Sequence, residues 1–88
     1  MSYTPDLVHE LDILLRFDLA NSQQGIKVHK TADAAVIAAT QRLHQKGLLS
    51  QADGGYLTGL GRDAAEHAQG LLTILTSGTA TATTREAA

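Results

Sequence analysis

Four histidines, His9, His29, His44 and His67, are the side chains of this chain best suited to hold a metal or carry a proton. Asp63 and His67 stand four apart, one helical turn, and His9 and Asp12 stand three apart. Each pairing supplies two ligands, whereas a zinc site needs four protein groups, or three and a water. The chain has no cysteine, which removes both disulfides and thiolate metal centres. No serine or threonine is spaced against a histidine so as to join a nucleophile, a base and an orienting group. Gly54-Gly55 lacks the Lys-Ser/Thr that follows the glycines of a phosphate loop. No metal, no cofactor and no enzymatic activity is expected.

The cations form a more suggestive pattern. The 88 residues carry a net charge of −2, yet residues 26–50 hold Lys27, Lys30, Arg42 and Lys46 against Asp33 alone, a net of +3. Residues 1–25 and 51–88 are acidic, at −3 and −2. Lysines and arginines clustered in this way can neutralise backbone phosphates and release counterions. Gln41, Arg42 and Gln45 have the chemistry to reach base edges, arginine suiting guanine and glutamine suiting adenine. A solvated surface with a chance surplus of cations is the competing reading. Tyr56 could stack on a base or sugar, but an aromatic on a half-buried hairpin is expected to pack against a neighbouring helix.

These residues are positioned by a short succession of elements. Thr4-Pro5 supplies a capping hydroxyl and a residue pre-set for the first helical position. Leu7, Val8, Leu11, Leu14 and Leu15 then follow helical spacing, predicting a helix from about Pro5 to Phe17. "NSQQG" reads as a loop, and Ile26 and Val28 alternate with Lys27 and His29 as in a short half-buried strand. Thr31 or Asp33 can cap a second helix reaching Lys46. Val36, Ile37, Thr40 and Leu43 fall on its inner face, and Ala35, Ala38, Arg42 and Gln45 on its outer one. Gly47 is a fitting terminator. Leu48-Leu49 and Tyr56-Leu57 predict two strands joined around Asp53-Gly54-Gly55.

Thr58 is placed to cap the third helix, with Gly61 offering the N–H that its hydroxyl would accept. Leu57, Leu60, Ala64, Ala68, Leu71 and Leu75 predict the buried seam of that helix. Near its end Leu71, Leu72, Ile74 and Leu75 cover a wide arc, which needs cover on more than one side. With 14 alanines among 38 apolar residues the core is thinly supplied, so a homodimer through these four residues is expected. Residues 1–76 read as one domain and 77–88, "SGTATATTREAA", as a disordered tail. The acidic start has no signal-peptide pattern, and no apolar run approaches the roughly 20 residues of a membrane span. A cytoplasmic location without membrane contact follows.

The order helix, short strand, helix, β-hairpin, helix resembles a winged-helix domain, an α+β and mainly helical fold in which the hairpin forms the wing. "RLHQKGLLSQADGGYLTGLGRDAAEHA" carries the resemblance: a basic helix end, Gly-Leu, a turn, an aromatic-Leu-Thr strand and a glycine-containing helix start. Helix-turn-helix readers place two helices in tandem before the wing, and residues 18–31 hold at most a helical turn. The whole chain is also similar to a small bacterial family of uncharacterised conserved proteins, through "GIKVHKTADAAVIAATQRLHQKGLL" and "DGGYLTGLGRDAAEHAQGLLTIL". Some members of that family are labelled DNA-binding or regulatory. The resemblance implies double-stranded DNA as the partner of Lys27, Lys30, Gln41, Arg42, Gln45 and Lys46, with a role as regulator or accessory factor. A protein–protein module or homodimeric adaptor that binds no DNA is the alternative.

Overall fold

The first helix starts where its capping chemistry requires. In the computed structural model, which describes residues 2–21 and 23–77, Thr4 Oγ1 accepts the Leu7 N–H at 3.2 Å and Pro5 opens α1, Pro5–Leu14. The helix ends three residues earlier than its sequence predicts. Gln69 donates from Nε2 to the Leu14 and Phe17 carbonyls, at 3.2 and 2.8 Å. Arg62 likewise donates to the Leu19 carbonyl at 2.5 Å. A side chain from a distant helix thus satisfies carbonyls at the end of α1, and the chain can turn there.

The buried line of α1 also differs from the predicted stripe. Glu10, Ile13 and Leu14 are buried, with Phe17 just beyond, while Val8 is exposed and Leu7, Leu11 and Leu15 are half-buried. α1 packs against both of the other helices, and a helix enclosed on two sides buries a different set from a simple amphipath.

β1 is Ile26–Lys27, α2 is Ala34–Gln45, β2 is Leu49–Gln51, β3 is Gly54–Leu57 and α3 is Gly59–Ser77. The result is an α+β fold, mainly helical, with a three-stranded antiparallel sheet in the order β1-β3-β2. Ile26 and Val28 are half-buried and Lys27 and His29 exposed, the alternation expected of β1. α2 follows Asp33 and reaches its cap at Lys46, and Gly47 then takes φ +85°. Its buried residues are Ala39, Thr40 and Leu43, and the Thr40 hydroxyl donates to the Val36 carbonyl at 2.8 Å.

The hairpin turn falls at Ala52-Asp53, so Gly54 and Gly55 belong to the central strand and not to the turn the sequence suggests. Their reason is close approach. A Cβ on Gly54 would lie 2.5 Å from the Ile26 carbonyl oxygen, and one on Gly55 would lie 2.3 Å from Ser50 Oγ. The β2–β3 register slips by one residue between Leu49↔Leu57 and Gln51↔Gly54, and Gly55 at φ +74° accommodates the bulge. The Tyr56 N–H is taken by Ser50 Oγ at 2.8 Å.

Thr58 caps α3 as its sequence predicts. Its Oγ1 accepts the Gly61 N–H at 3.0 Å and donates to the Gly47 carbonyl at 2.6 Å. The predicted seam of α3 is rotated, however. Gly61, Ala65 and Ala68 are the buried residues, while Leu60, Leu71 and Leu75 are exposed. Gly61 sets this orientation, because any Cβ there would meet the Leu48 carbonyl oxygen at 1.9 Å. Only glycine lets the helix lie so close, and the small faces of Ala65 and Ala68 follow in phase. The core comprises Ile13, Leu14, Phe17, Ala39, Leu43, Leu49, Ala65 and Ala68. Of the predicted tail, Ser77 is the last residue of α3, and 78–88 lie outside the described residues.

Candidate nucleic-acid interface

The six residues with nucleic-acid chemistry divide into two groups. At 100° per residue, Ala34, Ala38, Gln41 and Gln45 fall on one outer strip of α2. Ala34, Gln41 and Gln45 are exposed and Ala38 is half-buried. The strip is narrow and small at its N-terminal end, with two carboxamides further along. Gln41 shares a shallow cleft with Val28, His29, Lys30, Ile37, Thr40, Ala52 and Asp53. Lys30 and the hairpin turn therefore flank the same strip. Lys27 is exposed on β1 opposite Gly54, next to that turn, and the Val28 N–H donates to the Asp53 carbonyl at 2.8 Å. Among the described residues, no ion pair involves Lys27 or Lys30.

Arg42 and Lys46 face elsewhere. They lie about 100° round α2 from Gln41 and Gln45 respectively, on the side packed against α1. Arg42 Nε donates to Glu10 Oε2 at 2.7 Å, and Lys46 Nζ holds the other carboxylate oxygen, Oε1. Arg42 Nη2 also donates to the Asp6 carbonyl at 3.2 Å and lies 3.9 Å from the Asp6 carboxylate. Glu10 is only 5% exposed. Burial by itself would raise its pKa, but the hydrogen bonds and positive charges of Lys46 and Arg42 outweigh that and hold it below the ordinary carboxylate range. Two cations that charge counting assigns to a partner thus already serve a buried carboxylate, and their outward positive field is correspondingly reduced. Arg42, expected on the outer face with Gln45, is turned to α1 because Glu10 is there to receive it.

Arg62, which the sequence does not single out, bridges Glu66 at 3.5 Å as well as reaching the Leu19 carbonyl. Tyr56 is 48% exposed, so the packing expected of it is at most partial. Among the described residues no three His, Asp or Glu side chains converge as metal ligands. None of the described helices is long and apolar enough to cross a membrane. Two residues that matter here escape a sequence reading. Ile37, predicted for the inner face, is half-buried and lines the same cleft as Gln41, and Glu10 carries no signal beyond a helix-favouring acid in an apolar stretch.

Leu71, Leu72, Ile74 and Leu75, the proposed dimer residues, are 44, 44, 69 and 68% exposed. Leu72 continues the buried line of Gly61, Ala65 and Ala68, Leu75 lies at its edge about 20° from Ala68, and Leu71 and Ile74 lie further round α3.

These features define a small α+β chain whose exposed helix strip, edge strand and hairpin turn meet at one corner. The profile of a family of unknown function, DUF5669, matches residues 1–76, and the chain belongs to that family. No curated protein and no solved structure matches it significantly.

Proposed function

We propose that this protein is a non-enzymatic, cytoplasmic DNA-binding protein of winged-helix type, acting as a homodimeric regulator or accessory factor. The observation that carries the proposal is the corner described above. A helix followed directly by a β2–β3 hairpin, with β1 paired to the far side of β3, places the Ala34–Gln45 strip beside Lys27, Lys30 and the hairpin turn. In this reading α2 enters the major groove, which is wide enough for a helix. Its small N-terminal residues allow close approach, and Gln41 and Gln45 face base edges. Lys27 and Lys30 hold the flanking phosphates, which position the protein without reading sequence.

The salt dependence of binding tests both the proposal and its division of labour. Two phosphate contacts per protomer, from Lys27 and Lys30, imply a slope of about −1.8 in log affinity against log salt, and about −3.6 for a dimer. If Arg42 and Lys46 also made contacts, the dimer slope would double to about −7. Fluorescence anisotropy with a random duplex between ~50 and ~200 mM salt separates these cases. Lys27→Ala with Lys30→Ala is expected to flatten the slope and weaken binding alike on every sequence, while Gln41→Ala alters preference among sequences. No binding at ~50 mM salt, where non-specific attraction is strong, would rule out the DNA reading.

A protein–protein adaptor is the second reading. It is favoured by the net charge of −2 together with the exposed apolar end of α3.

A further inference from the structure

We propose that two copies of this chain pair their α3 helices antiparallel along a heptad seam formed by Leu60, Ala64, His67, Leu71 and Ile74. The proposal refines the homodimer reading above and is independent of DNA binding. The spacing of these residues is 4, 3, 4 and 3, the alternation that keeps one face of a helix against a partner over successive turns. At 100° per residue they fall within an arc of about 80°, centred about 100° from the buried line of Gly61, Ala65 and Ala68. α3 therefore carries two seams. One is occupied by its own domain, and the other faces outward along roughly 21 Å of helix.

The outward seam is exposed where it holds large residues: Leu60 is 59% exposed, Leu71 44% and Ile74 69%. From Gln69 to Ser77 the helix has no charged residue, so no charge repulsion opposes a second copy there. Gly70, beside the seam, has nothing within 4 Å of a would-be Cβ, which leaves room for a neighbouring backbone.

The sequence of the seam also selects direction and register. An isologous pair places the same surface of each copy on the other. With antiparallel helices crossing between Ala64 and His67, Leu60 meets the partner's Leu71 and Ala64 meets the partner's His67. Each layer then joins apolar to apolar, or the smallest residue to the imidazole, whose polar edge stays at the rim. The arrangement runs the protruding C-terminal turns of each α3 along the first turns of the other and carries Ile74 just past the start of the partner's helix. A parallel pairing would stack Leu60 on Leu60 at the crowded end and leave no small residue opposite His67. Leu72 lies about 120° round the helix from the seam and takes no part in it.

The absence of cysteine allows a direct test in the full chain. Leu60→Cys and Leu71→Cys, mixed and mildly oxidised, are expected to give a covalent dimer, because these positions meet across the pair. Either variant alone is expected to stay uncrosslinked, since its own copies sit about 16 Å apart along the axis. Wild type is expected to sediment as a dimer at micromolar concentration. Leu71→Lys should weaken association at least 10-fold without altering the circular dichroism melt of the folded domain at matched low concentration. A wild type that is monomeric at ~100 µM overturns the seam and the homodimer reading together. A dimer whose Leu60→Cys and Leu71→Cys variants do not crosslink when mixed overturns the seam and leaves the homodimer standing.

Discussion

Replacing Glu10 with glutamine keeps the outline of the side chain and removes the charge that holds Arg42 and Lys46. The magnitude follows from what the carboxylate does. It accepts from Arg42 Nε at 2.7 Å on one oxygen and from Lys46 on the other, while almost wholly buried. A hydrogen bond to a charged group contributes about 1.5–3 kcal/mol. Glutamine keeps one acceptor, and both cations have side chains partly open to water, at 28% and 46%, so they regain hydration when released. The loss expected is therefore about 2 kcal/mol, below the ~3–5 kcal/mol of a fully enclosed pair. For a domain of this size that is a fall in melting temperature of about 8–16 °C. The sign with pH is fixed by the depressed pKa of Glu10. Its contribution is complete above the unfolded value of about 4.3 and disappears as pH falls through the lower folded value. Urea denaturation of both proteins should show the full gap at pH 7 and a closing gap in acid. A gap under ~0.5 kcal/mol at pH 7, the scale of an ordinary surface change, would refute the account of Glu10 as the clasp between α1 and α2. So would a gap that stays constant down to the acid limit of folding. In the DNA reading the same substitution raises duplex affinity and steepens its salt slope, because two cations are freed on α2.

The remaining predictions concern local geometry. Thr58→Ala is expected to cost about 1–2 kcal/mol and Thr58→Ser much less, since the hydroxyl both accepts from Gly61 and donates to Gly47; equal losses in urea titrations would mean that the methyl matters instead. Gly61→Ala is expected to abolish the cooperative melt or lower it by well over 10 °C, because its Cβ would stand 1.9 Å from a backbone oxygen. Gly70→Ala, in open space within the same helix, is expected to stabilise the monomer by about 0.5–1 kcal/mol, measured at concentrations below association.

Much of this protein's local structure could be read from the chain alone. Thr4-Pro5 and Thr58 with Gly61 marked helix starts, and Gly47 marked an end, because a cap is a contact between residues three or four apart. The alternation at Ile26–His29 marked β1 for the same reason: its period is a property of consecutive residues. A hairpin between two helices was also legible. What the tertiary structure decided was every choice between faces. Leu60, Ala64, Leu71 and Leu75 have a spacing as suitable for a core as Gly61, Ala65 and Ala68. The choice was made by the Leu48 carbonyl, 13 residues away, which admits only a glycine. Gly54 and Gly55 look like a turn until β1 and β2 arrive on either side of β3, where the Ile26 carbonyl leaves no room for a Cβ on Gly54 and Ser50 leaves none on Gly55. Arg42 and Lys46 count as free positive charge until α1 packs on α2 and brings Glu10, more than 30 residues distant in sequence, to both of them. Periodicity reports which residues share a side of an element, but which side is buried depends on the shapes and charges that distant segments bring to it.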